Sequence, residues 1–77
     1  MNKARRQELK KAILKLQEAT DIIRDVKDDE DFAYNNLPEG LQYSMNGEAM
    51  EENVEQMEEV IDVIEESINV LEEIIYK

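Results

Sequence analysis

The chain has 77 residues, with 9 Lys and Arg against 20 Asp and Glu, a formal charge of −11, and no His, Cys or Trp. It is one small domain, too short for a sizeable core and without the thiols or imidazoles for a disulfide or a zinc site, so helix packing and self-association are the expected sources of stability. The acidic balance excludes a surface for direct binding of nucleic acid or anionic membrane and suits a basic protein partner.

Residues 1–27 hold eight basic and four acidic side chains, a net of +4. Leu9, Ala12, Leu16, Ala19, Ile23 and Val26 recur there at three-four spacing, flanked by Ile13 and Ile22, which predicts an amphipathic helix over about residues 2–33. Asn2 is suited to cap it, the alanines let a neighbouring helix approach closely, and no Gly or Pro interrupts before Pro38. Leu14 is the one large apolar residue on the polar side, either an ordinary surface leucine or an anchor for a partner.

A turn is expected over residues 34–45. Pro38 suits the first position of a short helical turn capped by Asn36, and Ser44 or Asn46 is placed to cap a second long helix. Phe32, Leu37, Leu41 and Tyr43 are expected to fold back as an apolar plug over the end of the helices.

The strongest pattern lies in residues 46–76, the second predicted helix. Met50, Val54, Met57, Ile61, Ile64, Ile68, Leu71 and Ile75 fall at alternating steps of four and three, one apolar helical seam, with Val54 and its heptad successors at position a and Met50 and its successors at d. Val60 and Ile74 then fall at g and Val63 and Val70 at c, so the apolar arc covers about half the circumference and calls for two neighbouring helices. Positions b, e and f form the opposite arc. Glu48, Glu51, Glu52, Glu55, Glu58, Glu59, Asp62, Glu65, Glu66, Glu72 and Glu73 occupy it, interrupted only by Asn69.

Two helices of matched length joined by a turn read as an antiparallel hairpin, an all-α fold in a single 1–77 domain. The pairing is expected to set Lys10, Lys11 and Lys15 near Glu65, Glu66, Glu72 and Glu73, and Arg24 and Lys27 near Glu52 and Glu55. A lone hairpin leaves much of the wide apolar arc uncovered, so two hairpins are expected to form a homodimeric four-helix bundle, with Val54, Met57, Ile61, Ile64, Ile68, Leu71 and Ile75 carrying the self-association. Ile at both a and d suits more than two strands around the core, which equally fits a higher oligomer.

Little chemistry is available. Asp28-Asp29-Glu30-Asp31 lacks the alternating ligands, central Gly and distal Glu of a calcium loop, and without histidine the Glu-x-x-His motif of bundle di-iron sites is excluded, so neither metal nor cofactor is expected. Ser44 and Ser67 have no imidazole to activate them, and the surface carboxylates have no concave pocket, so the expectation is a protein that is not an enzyme. Large aliphatic residues come at most in pairs such as Ile13-Leu14 and Ile22-Ile23, so no membrane span or secretory segment is read and a cytoplasmic location is expected.

The segment Asn36-Leu37-Pro38-Glu39-Gly40-Leu41-Gln42-Tyr43-Ser44, followed by Gly47-Glu48-Ala49-Met50 and a Glu- and Ile-rich helix, resembles small acidic proteins of unassigned function carried by phages and mobile elements of Firmicutes. The resemblance runs from Asn36 onward and carries no functional residues with it. It implies a compact protein that binds and inhibits a host or defence protein. The acidic stripe places one charge per about 3.5 Å of helix, against one per about 1.7 Å for duplex DNA, so two such helices side by side approach the charge density of DNA. The resulting expectation is a non-enzymatic binding module, acting as a DNA mimic in the host cell cytoplasm, in which Glu51, Glu55, Glu58, Asp62, Glu65 and Glu66 contact a basic host protein. The alternatives are a structural or assembly bundle whose acids only solubilise it, and a hairpin that opens so that Ile61, Ile64 and Ile68 grip a helix of another protein.

Overall fold

The computed structural model describes residues 1–77 as two long antiparallel helices, α1 (Lys3–Asn35) and α2 (Met45–Ile75), joined by a segment containing a 3-10 turn at Leu41–Tyr43. The pair forms a rod of 58 × 15 × 13 Å with a radius of gyration of 17.4 Å, against about 11.5 Å for a compact chain of this length. The expected helices agree with the observed ones to within two residues at each end.

Asn2 caps α1, its side chain accepting a hydrogen bond from the Arg5 amide at 2.8 Å. At the other end the Asn36 amide donates to the Phe32 carbonyl at 3.1 Å, and its side-chain Nδ2 donates to the same oxygen at 2.7 Å. Asn36 therefore closes α1 and does not open a turn at Pro38. The chain reverses through Pro38–Leu41, with Gly40 at φ 90°, a left-handed conformation that only glycine adopts without strain. Ser44 then caps α2, its hydroxyl accepting from the Gly47 amide at 3.1 Å.

The connecting segment docks through its backbone. Gln42 donates its side-chain amide to the Tyr34 carbonyl at 3.2 Å, and a Cβ on the buried Gly47 would lie 2.5 Å from the carbonyl oxygens of both Leu41 and Gln42. This replaces the expected apolar plug. Leu37 is half-buried, but Phe32 is 72% and Tyr43 81% exposed, and Leu41 is half exposed. Phe32 lies on the face of α1 turned away from α2, and the turn is held close by main-chain approach at Gly47 where an aromatic side chain has no room.

The core lies toward the chain termini. Ile13 of α1 packs with Ile68 and Ile75 of α2, and Leu9, Leu16, Ile64 and Leu71 surround them. Ile61 is also buried, whereas Val54 and Met57 are half-buried. On α1 the inward row differs from the expected one. It runs through Leu9, Ile13, Leu16, Thr20, Ile23, Lys27, Glu30 and Tyr34, all buried or half-buried, while Ala12 and Ala19 lie beside it and Ile22 and Val26 are exposed. The seam is thus apolar at the open end and polar near the turn. Thr20, only 3% exposed, donates its hydroxyl to the Leu16 carbonyl at 2.9 Å.

Candidate functional site

Positions e and g of an antiparallel pair flank the seam on opposite sides. The e side of this hairpin is charged. Arg24 pairs with Glu65 across the helices, and Lys27 Nζ lies 3.9 Å from Glu58 and 3.2 Å from Asp28. Tyr34 donates its hydroxyl to Glu51 at 2.8 Å, and this bond to a carboxylate, followed by partial desolvation, raises the phenol above its ordinary titration range. Gln17, Asp21, Asn69 and Glu72 line the same polar side around Thr20, Arg24 and Glu65.

These pairs correct the expected register. Arg24 and Lys27 meet Glu65 and Glu58, not Glu52 and Glu55. The reason is visible at the turn, where Tyr34 is level with Glu51 and Glu30 with Asn53, whose side-chain amide donates to Glu30 at 3.0 Å. The first turn of α2 overshoots the end of α1, which moves every pair along α2. At the open end the expected lysine pairs are replaced. Lys11 pairs with Glu8 on its own helix at 3.0 Å, Lys10 Nζ lies 5.7 Å from the centre of the Tyr76 ring, and Lys15 makes no ion pair.

The six acids expected to contact a partner therefore separate into two rows. Glu51, Glu58 and Glu65 stand on the e edge, each engaged by a group of α1. Glu55, Asp62 and Glu66 stand farther round, exposed and without an ion pair. Glu48, Glu59 and Glu73 share that condition, so the outward face of α2 is a band of uncompensated carboxylates along most of the rod. Exposed Tyr43 extends the band at the turn, where it lines a shallow notch with Gln42, Glu48, Glu51, Glu52 and Glu55.

The g side is apolar, a feature that the heptad of α2 indicated but that only the pairing extends onto α1. Val26 of α1 and Val60 of α2 line one groove together with Glu30, Asn53, Gln56 and Met57. Farther along α2, Val63, Glu66, Ser67, Val70 and Leu71 line the next, so the outward acid Glu66 borders it. Leu14, on the polar side of α1, is exposed. The Asp28–Asp31 run does not converge with other carboxylates into a group able to hold a metal ion, and no helix is long and apolar enough to cross a membrane. No family model, no curated protein and no solved structure matches the chain.

Proposed function

We propose that this chain is a non-enzymatic, acidic protein-binding module that works as a homodimeric four-helix bundle and engages a basic protein through the outward face of α2. The observation that carries the reading is the row of Glu48, Glu55, Glu59, Asp62, Glu66 and Glu73, six carboxylates with no counter-ion on their own chain. Basic side chains of α1 balance only the edge next to the seam, so a cationic groove elsewhere meets a face whose charge is still available. Such a face attracts a basic partner over a Debye length, about 8 Å at physiological salt, and raises its association rate. The turn motif and the charge spacing together favour an inhibitor from a phage or mobile element, acting on a host or defence protein by presenting a DNA-like array of negative charge in the host cytoplasm.

The test is affinity capture from host lysate with the tagged chain and with a Glu55→Lys, Asp62→Lys, Glu66→Lys variant. Retention of a basic nucleic-acid-binding protein at low salt, its release at high salt, and its loss in the variant with helix content unchanged are expected. A variant that retains the same proteins as the parent chain would refute the acidic face as the binding surface. The apolar g side favours a second reading, a structural or assembly bundle with no inhibitory role, which predicts that the parent chain itself retains nothing at either salt concentration.

A further inference from the structure

The dimer proposed above has two candidate surfaces, and the hairpin has already used one. Ile64, Ile68, Leu71 and Ile75 pack against Leu9, Ile13 and Leu16 of the same chain, so they are not free to join two chains. What remains apolar and exposed is the g and c side, where Ile22 and Val63 are 64% and 62% exposed and Val26, Val60 and Val70 about half exposed. Small residues, Ala12 and Ala19 on α1 and Ser67 on α2, punctuate this side and let another pair of helices approach closely.

We infer that this face is covered by a second copy of the chain lying head to tail, with the turn of one hairpin beside the termini of the other. The inference rests on the dimer reading and adds its surface and its orientation. Area is the first argument. The hairpin exposes 5892 Å², whereas a compact chain of 9.0 kDa exposes about 4,850 Å². The excess of roughly 1,000 Å² is comparable to the ~800 Å² per partner that a stable interface buries. A rod can bury that much only along its length, and a second rod of the same length matches it.

Charge fixes the direction. Divided at the level of Ala19 and Ser67, the half of the rod containing the turn, residues 20–67, carries sixteen acidic and two basic side chains, a net of −14. The half containing the termini carries seven basic and four acidic, a net of +3. Two rods with their turns together set −14 against −14. Head to tail, each acidic half lies beside a half that is net positive, and α1 runs antiparallel to its own copy, so Lys11 and Lys15 of one chain come level with Lys27 and Ile23 and near Asp25 and Asp29 of the other. The same arrangement places α2 beside α2, with the acid-rich half of each, up to Ser67, level with the C-terminal half of the other, which holds only Glu72 and Glu73.

Orientation and surface are tested together. The chain has no cysteine, so Gln7→Cys takes a single spin label at an exposed site. Gln7 lies twelve residues from Ala19, which puts two labels about 36 Å apart along a head-to-tail dimer and within about 20 Å in a dimer with turns together. Sedimentation equilibrium of the same sample gives the mass. A dimer with the long separation is the expected result, and an Ile22→Glu, Val63→Glu variant should raise its dissociation constant by about a hundredfold or more, while Leu14→Glu on the polar side leaves it unchanged. A dimer with the short separation overturns the head-to-tail orientation and leaves the dimer standing. A dimer indifferent to the double variant overturns the surface, and a monomer at every concentration overturns both the inference and the dimer beneath it. Should the double variant lose its helices, the distance in the labelled chain, whose apolar side is intact, still decides the orientation.

Discussion

Gly47→Ala separates local preference from tertiary structure, because the two predict opposite signs. Gly47 lies in the first turn of α2, and helix propensity alone credits alanine with about 0.8–1 kcal/mol over glycine. In the folded chain a Cβ at this position falls 2.5 Å from the Leu41 and Gln42 carbonyl oxygens and 2.8 Å from the Gln42 carbonyl carbon. Those atoms are backbone, so relief requires the connecting segment to move away and weakens the Ser44 cap and the Gln42 bond to Tyr34. Overpacking of this kind costs about 1–3 kcal/mol, which cancels or outweighs the propensity gain and leaves a net loss of up to about 2 kcal/mol. With an unfolding entropy of about 2.1 cal/mol/K per residue, each kcal/mol is about 6 °C of midpoint for a chain of this length. Thermal melts followed by circular dichroism at matched concentration should therefore place Gly47→Ala below the parent chain, by up to about 12 °C. Gly40→Asn is the companion variant. Open space surrounds that Cβ position, so asparagine there meets no clash and costs only the backbone strain of the left-handed region, about 1 kcal/mol. A higher midpoint for Gly47→Ala would refute the close approach of the turn to α2 on which the register depends.

Three further outcomes are expected along the seam. Ile68→Ala empties the centre of the buried cluster and should cost about 2–5 kcal/mol, whereas Leu14→Ala should stay within about 0.5 kcal/mol; equal losses in urea titration would show the wrong face of the helices buried. Thr20→Val should leave stability unchanged or raise it by up to about 1 kcal/mol, because the hydroxyl bonds a carbonyl within its own helix and leaves no orphaned group when replaced; a loss above about 2 kcal/mol would show a role for the hydroxyl beyond that bond. Tyr34 has a phenol pKa raised in the folded state, chiefly by its hydrogen bond to Glu51. Its contribution is therefore fully present below the unfolded value near 10 and is lost as pH rises through the higher folded value. Stability of the parent chain should fall more steeply than that of Tyr34→Phe above about pH 10, and parallel curves would contradict the hydrogen bond.

The acidic face shows how much of the site was legible. All eleven acids of α2 are identifiable from the heptad pattern, because positions b, e and f are fixed once one seam residue is assigned. Which of them still carry uncompensated charge was not legible. Ion pairs between helices depend on axial register, and register depends on how far α2 runs past α1 at the turn, a distance set by the backbone approach at Gly47. A shift toward the C-terminal end of α2 moved the partners of Arg24 and Lys27 from the Glu52 and Glu55 level to Glu65 and Glu58.

Helix α1 marks the division most clearly. Its length, its caps and its pairing with a second helix come from local chemistry: an uninterrupted three-four pattern, Asn2 at the start, and the turn residues around Pro38 and Gly40 at the end. Its buried face does not. Ala12, Ala19 and Val26 form one candidate row, and Ile13, Thr20 and Lys27 the next, one residue's rotation away. Counting apolar residues favours the first row. The folded chain buries the second, which brings Ile13 against Ile68 and Ile75, Arg24 to Glu65 and Tyr34 to Glu51. Periodicity is a property of a single helix and can be read from its residues alone. The choice between two adjacent rows is a property of the pair, decided by which rotation satisfies the packing at one end and the charges at the other.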